Sequence, residues 1–455
     1  MDFSPQARIL ALDNAFDPVA AADFPDTILR FRNDRAAAEV GLATLSDADW
    51  IARFGRFQPF EGSLPQPLAL RYHGHQFRHY NPDLGDGRGF LFAQMRDAQG
   101  RLMDLGTKGS GTTPWSRSGD GRLTLKGGVR EILATEMLEA LGVDTSRTFS
   151  LIETGEHLHR GDEPSPTRSA VMVRLSHGHI RIGSFQRLAY LKDEAALDAL
   201  VRYCLTELYG ETPGDAPALQ LYAHVVARTA DLAASYMAAG FVHGVLNSDN
   251  INVTGESFDY GPWRFTPRWE AGFTAAYFDQ QGLYAFGRQA QAIHWDVAQL
   301  AMALTALAPV EALAPILDTF AARYEAALTA RLLARLGVRR RGEAEDVALA
   351  DAMTRALGEA EIDIDRFFFD WRGGALRRDE PAYGAPMFAP FVAAVADYAP
   401  AARLDHPYWS DAAPCSMHIE EVEAIWAPIA GADDWSLLDA KVLAIRRMGA
   451  ALLDA

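Results

Sequence analysis

The sequence predicts an α+β protein of two lobes, the first rich in strands and the second mostly helical. Three observations carry this reading. Residues 65–190 alternate short apolar runs with glycine-rich turns and hold one helix-period segment among them. Beyond Tyr190 the composition turns alanine-rich with helical spacing. Between helical segments, HGVLNSDNINVTGESFDYG (243–261) gathers Asp249, Asn250 and Asp259 on short connections. A chain of 455 residues is long for one core, so separate lobes are expected. The expected division is an N-terminal extension (1–64), a strand-rich lobe (65–190), a helical lobe holding the acidic loop (191–370), and a C-terminal extension packed on that lobe (371–455).

Composition excludes several classes. The hydrophobic share of 49% and charged share of 23% are those of an ordinary globular protein. No apolar run reaches membrane-spanning length, and the start lacks the order of a signal peptide, so a cytoplasmic protein with no membrane partner is expected. Two cysteines, Cys204 and Cys415, without a CxxC make no disulfide framework, although one bridge between them stays open. A net charge of −17 argues against nucleic acid as a partner. Residues 101–190 nevertheless hold 12 Lys and Arg against 10 Asp and Glu, which suggests a confined anion pocket in an acidic chain.

Taken in order, 27–31 reads as a strand, and 34–42 and 46–54 as helices capped by Asp34 and Ser46. In LRYHGHQF and the run behind it, His73, His75 and His79 invite a zinc reading. No cysteine or fourth ligand lies nearby, so packing is the better account. Gly85-Asp-Gly-Arg-Gly89 is a turn ahead of an apolar strand, 90–95. Its glycines let backbone N–H groups approach a ligand, and Arg88 adds charge, although such a turn also simply makes hairpins. A turn at 97–100 returns the chain into 101–108, ending at Lys108. The Gly- and Ser-rich run 109–121 suits a loop folded over a ligand.

The pattern then changes to a helix over 129–141 with Glu131 in its first turn, either as a partner for Lys108 or as an acid favoured by the helix dipole. Segments 150–154, 170–175 and 179–185 read as strands. Arg174 and Arg181 would lie on neighbours, where a shared polyphosphate explains two like charges better than exposure does.

The apolar helix 216–239 leads into the acidic loop, read as loop, short strand, turn, short strand. Asn250 and Asp259, on opposite sides of a tight hairpin, can converge on one divalent cation. Residues 266–288 are aromatic and irregular. Trp295 to Leu300 opens a further helix, with Asp296 placed to cap it or to anchor the acidic loop. Helices continue to about 357, with Arg339 to Arg341 on an exposed turn. Segment 371–410 covers the helical core, and 435–453 closes the chain as an amphipathic helix.

Protein kinases share this layout. Their His-led loop supplies an Asn seven residues on, and an Asp-Phe-Gly supplies a second metal ligand, as Asn250 and Asp259-Tyr-Gly261 do after His243. The strand lysine and helix glutamate match as well. The kinase base, two residues after the His, is Val245 here. Asp249 is the nearby carboxylate able to replace it. An Asn- and Asp-rich turn formed for backbone reasons alone is the bland alternative.

The runs YHGHQF…NPDLGDGRGFLFAQ, DLGTKGSGTTPWSRSGDGRLTLKGGVRE, SLIETGE, VRLSHGHIRIGSFQRLAY and HGVLNSDNINV…DYGPW closely resemble the selenoprotein O family of protein adenylyltransferases, dense from about 68 to 300. The resemblance implies a protein-kinase-like two-lobe fold and transfer of AMP from ATP to protein Ser, Thr or Tyr hydroxyls, the chain's own included. The nucleotide would be flipped relative to kinases, so that the α-phosphate meets the acceptor. It implies that Gly85, Gly87, Arg88, Lys108, Asp120, Gly121, Arg174 and Arg181 line the ATP site and that Glu131 supports Lys108. Asn250 and Asp259 would bind Mg²⁺ (or Mn²⁺), with Asp259 also facing the nucleotide, and Asp249 would accept the hydroxyl proton. A late proton transfer does not require a greatly raised pKa for Asp249.

The chain departs from the family at its end, Ala-Leu-Leu-Asp-Ala, where members commonly carry a redox-active Cys or selenocysteine. A phosphotransferase using the same pocket and a catalytically dead ATP-binding scaffold are the competing readings. Val245 speaks against the first, and intact Lys108, Asn250 and Asp259 against the second.

Overall fold

The computed structural model describes residues 2–161, 163–378 and 380–453; Asp454 and Ala455, at the end of the last segment, lie outside the described residues. The first lobe is one antiparallel sheet of nine strands: β1 (Pro5–Gln6), β2 (Phe16–Pro18), β3 (Ile28–Arg32), β4 (Leu68–Leu70), β7 (Leu91–Arg96), β8 (Leu102–Lys108), β9 (Leu123–Thr124), β10 (Arg147–Leu158) and β11 (Thr167–Ser176). Their order is β2-β4-β7-β8-β11-β10-β3, with β1 on β7 and β9 on β11. A separate two-stranded hairpin, β5 (Gly74–Gln76) and β6 (His79–Asn81), stands between β4 and β7 in the chain. Residues 1–64 thus supply three strands of this sheet.

The sheet is buried on both faces, and the period of two sorts its side chains. Val171, Val173 and Leu175 of β11 join a core with Trp50 and Phe54 of α2 (Asp47–Phe54), where Trp50 stacks on Phe149 at 4.9 Å. Ala170 and Met172 of the same strand turn the other way, to the core that holds Ile132 and Leu133 of α3 (Leu125–Ala140). The short helix α1 (Asp34–Glu39) is capped by Asn33, whose side chain accepts from Ala36 N, and not by Asp34. An amide one residue earlier satisfies the same orphan donor. Ser46 caps α2 as expected.

Two elements differ from the sequence reading in ways that matter for the site. Helix α3 begins four residues earlier than the apolar spacing indicates, because Thr124 caps it and Gly128 packs directly on Leu151. Glu131 therefore sits in the second turn, away from the first-turn dipole position. Residues 179–185 are not a strand: Arg181 makes only an isolated bridge with Asn252, and α4 (Ile182–Tyr190) follows it. The local alternation His-Ile-Arg-Ile looks extended, but Gly178 (φ +80) turns the chain away from the sheet, and Ile182, Phe185 and Gln186 then bury one helical face.

The second lobe is built on α5 (Glu194–Tyr203), α6 (Pro217–Ala239), α7 (Gln289–Leu304), α8 (Val310–Leu317), α9 (Phe320–Leu336), α10 (Glu343–Glu359) and α11 (Ile364–Asp370). Gly240 ends α6 in a left-handed turn (φ +69), and β12 (Phe241–Val242) pairs with β13 (Arg264–Phe265) around the acidic loop. Helix α7 starts six residues before Trp295, which places Asp296 mid-helix and buried rather than at a cap. Trp371, Tyr383, Phe388 and Phe391, the last on α12 (Ala389–Val395), complete a core with α9 and α10. The remaining helices, α13 (Ile419–Ala432) and α14 (Ser436–Leu453), reach the first lobe, where Arg446 forks onto Glu136 of α3 at 2.8 and 2.5 Å. Cys204 and Cys415 are both free thiols. No described helix is long and apolar enough to cross a membrane.

Candidate active site

A cleft of about 640 Å³ lies between the sheet and the acidic loop. Ten of the sequence-predicted residues line it: Gly85, Gly87, Arg88, Lys108, Asp120, Gly121, Arg174, Arg181, Asp249 and Asp259. Glu131 stands behind Lys108. Asn250, half-buried, is not part of the lining, and its Nδ2 donates to Val245 O at 3.0 Å.

The first wall is the turn after β6. A side chain at Gly85 would run into the Trp115 ring, with a Cβ 2.3 Å from its nearest atom, so only glycine admits the loop 109–121 against this turn. That loop is tied down by Thr113 Oγ1 donating to Asp86 O at 2.5 Å and by Trp115 Nε1 donating to Asp17 Oδ2 at 2.9 Å. It presents Arg117, Asp120 and Gly121 (φ +70) to the cleft. Arg160 clasps Asp120 at 2.9 and 3.0 Å, which makes Asp120 one half of an ion pair.

The floor is a charge cluster. Lys108, at the end of β8, contacts the Glu131 carboxylate and stands 3.0 Å from Asp259 Oδ1. Arg174 on β11 reaches the same oxygen at 3.5 Å and is steadied by His179, which in turn meets Asp104 at 3.2 Å. Arg181 is 2% exposed. It donates to Asp249 O at 3.1 Å, meets Asp86 Oδ1 at 3.5 Å and stacks on Tyr72 at 4.0 Å. The two arginines share the cleft as expected, although not from paired strands.

The loop 243–261 is not the expected hairpin. Residues 248–250 form a 3₁₀ turn, and the segment behind it pairs with the stretch before α4, Ile182 N donating to Ile251 O and Val253 N to Ile180 O, both at 3.0 Å. The β-branched residues thus serve backbone contacts to another segment rather than strands of their own. His243 fixes the loop's far end through Phe258 O at 3.0 Å. Asp259 adopts a left-handed backbone (φ +64).

The two acids differ electrostatically. Burial pushes Asp249 up to about 6 despite Arg181 nearby, and its Oδ1 is buried without a hydrogen-bond partner among the described residues. Burial would raise Asp259 too, but Lys108, Arg174, Arg88 and Arg181 outweigh it and hold that carboxyl well below the usual range. A cleft with this many cations suits a polyphosphate, and the unpartnered Asp249 oxygen beside the ionised Asp259 suits a divalent cation or an incoming proton donor. Sequence reasoning missed Tyr72, Asp86, Trp115, Arg117, Arg122 and Arg160 among the lining. Asp86, Trp115 and Arg117 lay inside runs already read as ligand loops. Tyr72 and Arg160 carried no signal in spacing or composition.

Residues 1–378 match the family model described as protein adenylyltransferase SelO. A relative named protein nucleotidyltransferase YdiU from Gloeobacter violaceus is 44% identical, covering 96% of this chain and 93% of its own. A second, of the same name, from Synechococcus elongatus, is 50% identical over 77% of this chain and 72% of its own. Among solved structures, ROP2 from Toxoplasma gondii, described as a virulence factor with a protein-kinase fold and no enzymatic activity, overlays 67% of this chain and 85% of that one. It does so at 13% identity and a TM-score of 0.28, a similarity too weak to carry any argument. The family match spans both lobes and the whole of the cleft between them. This chain belongs to the SelO family of protein adenylyltransferases, and it is a nucleotidyltransferase.

Proposed function

We propose that the cleft binds ATP with a divalent cation, Mg²⁺ or Mn²⁺, and that Asp249 receives the proton of a protein Ser, Thr or Tyr hydroxyl as that oxygen attacks the α-phosphorus. The new bond joins the acceptor oxygen to phosphorus, the bond from the α-phosphorus to the bridging oxygen breaks, and pyrophosphate leaves. Arg88, Lys108, Arg174 and Arg181 meet phosphate charge. Gly85, Gly87 and Gly121 let the backbone approach it, and Asp120 with Arg160 closes the outer end of the cleft. Glu131 holds Lys108 in place. Asn250 and Asp259 would hold the metal, which when bound neutralises phosphate charge. Copies of the chain itself count among the acceptors.

The observation that carries this reading is the state of Asp249. Asp249 lines the cleft and its buried Oδ1 has no hydrogen-bond partner among the described residues, while the position of a kinase base is taken by Val245. A carboxylate that is not committed to an ion pair, in a site that also holds Arg88, Lys108, Arg174 and Arg181, is suited to take a proton from a neutral hydroxyl. The test is Asp249→Ala. AMP incorporation into protein should fall by about 100-fold or more, the effect of losing a general base, while ATP affinity by calorimetry stays within a factor of a few. A variant that retains transfer would remove Asp249 from this role.

A further inference from the structure

The histidine- and tyrosine-rich run leaves one feature that nucleotide binding does not use. The tip of the β5–β6 hairpin is Phe77 (φ +48) and Arg78 (φ +65), both in the left-handed region. A two-residue hairpin turn of this kind favours Asn-Gly, and bulky residues persist there only where their surroundings hold them. Those surroundings are the loop that carries Asp249 and an aromatic segment beside it. His75 N donates to Ser248 Oγ at 2.7 Å and Phe77 N to Asn247 Oδ1 at 3.1 Å. The Phe77 ring meets Tyr284 at 5.1 Å and Phe278 at 5.9 Å, and Arg78 lies over Trp295 at 5.4 Å.

The aromatic segment is then left uncovered. Phe278 is 46% exposed and Tyr277, in ring contact with it at 5.1 Å, is 83% exposed. The patch is continuous with the reaction site, since Gln76 lines the cleft and the next residue, Phe77, packs on Phe278.

We propose that Tyr277 and Phe278, backed by Phe77, form the docking surface for the polypeptide acceptor. The occupant is an extended acceptor segment whose aromatic or branched aliphatic side chain, a few residues from the modified hydroxyl, packs on these rings. This rests on the adenylyl-transfer reading above. A hydroxyl is too small to select a protein by itself, and the cleft around Asp249 is lined mostly by charged and polar groups, so apolar recognition has to come from outside the cleft. This patch adjoins the Asp249 loop and is left exposed by the described residues. The strained turn is the cost of presenting it.

The probe is a pair of twelve-residue peptides, each with one serine, carrying either Phe or Asn two and three residues from it. Fluorescein-labelled copies report binding by anisotropy, and ATP labelled at the α-phosphate reports transfer. The wild-type protein should favour the Phe peptide by about tenfold or more in kcat/KM and in affinity, the gain expected from burying such a side chain. Tyr277→Asn with Phe278→Asn should erase that preference while ATP affinity and Tm stay unchanged. Tyr277→Phe should keep it, which separates docking from modification of Tyr277 itself. Equal use of both peptides by the wild type, no binding of either, or a preference that survives the double variant would overturn the proposal. Preferential binding without α-label would leave docking intact and count against the chemistry. Label without preference would do the reverse. A concentration-dependent dimer abolished by the double variant would make the patch a self-interface and overturn the proposal as well.

Discussion

Lys108 stands 3.0 Å from Asp259 Oδ1 while its ammonium also contacts the Glu131 carboxylate. One lysine therefore ties the Asp-Tyr-Gly segment of the second lobe to β8 and α3 of the first. Lys108 and Glu131 are both nearly buried, whereas the Asp259 side chain is 29% exposed and open to the cleft. The open partner is the one available to a ligand, and the buried pair is scaffolding for it.

Replacing Asp259 by alanine should lower AMP transfer by about 100-fold or more, comparable to losing a preorganised electrostatic group at a reacting phosphate. The fold should survive, because the carboxylate sits at the cleft surface and buries no apolar area. Activity against Mg²⁺ concentration and a thermal melt check this together. Unchanged activity at saturating Mg²⁺ with a lowered Tm would make Asp259 a structural turn residue.

Glu131→Gln leaves Lys108 buried with Asp259 alone. Breaking one side of a buried pair costs about 3 kcal/mol or more, so Tm should fall by several degrees. The loss in kcat should exceed the rise in the KM for ATP, because Lys108 still carries its charge but is no longer aimed. Equal activity with the lower Tm would confine Glu131 to stability.

How far these relations could be read from sequence differs by residue. Lys108, Glu131 and Asp259 were legible because each belongs to a local pattern, a strand end, a helical stripe and a short acidic motif, and the cleft brings them together. Local pattern failed where a tertiary contact decided the outcome. Thr124 and the close packing of Gly128 lengthen α3 beyond its apolar stripe, and Gly178 converts an alternating run into the entry to α4. Asp296 falls mid-helix because α7 begins in an irregular stretch whose helical start carries no side-chain cap to see. Arg160 enters the cleft only through its pairing with Asp120, forty residues away in the chain.

Arg88→Gln and Arg174→Gln should weaken ATP far more than AMP, since the proposed function has them meet the phosphate charge that ATP carries and AMP lacks. One charge-assisted contact is worth on the order of 1.5–3 kcal/mol, roughly ten- to a hundredfold in affinity. Calorimetry with both nucleotides measures it. Equal weakening would place these residues at the α-phosphate instead. Arg181→Gln should also cost stability, because the guanidinium is buried and supports Asp249 O.

Glu256 gives a pH signature. Burial, with Asp144 nearby, pushes its carboxyl up to about 8, although His177 N donates to both oxygens at 3.0 Å. A raised carboxyl means the folded state holds its proton where the unfolded chain has released it. The contribution is intact below about 4.5 and is lost as pH rises from there towards 8, up to on the order of 5 kcal/mol. Tm should thus fall between pH 5 and 8, and Glu256→Gln should flatten that fall. An identical slope in the variant would show that Glu256 ionises normally.

The central claim is that AMP, and not the γ-phosphoryl group, moves to protein. Purified protein is incubated with the divalent cation and ATP labelled at either the α- or the γ-phosphate, and label on protein is followed. The account predicts α-label on protein, labelled pyrophosphate from γ-labelled ATP, and loss of the α-label in Asp249→Ala with ATP binding retained. Stable γ-label on protein that disappears in Asp249→Ala would contradict it.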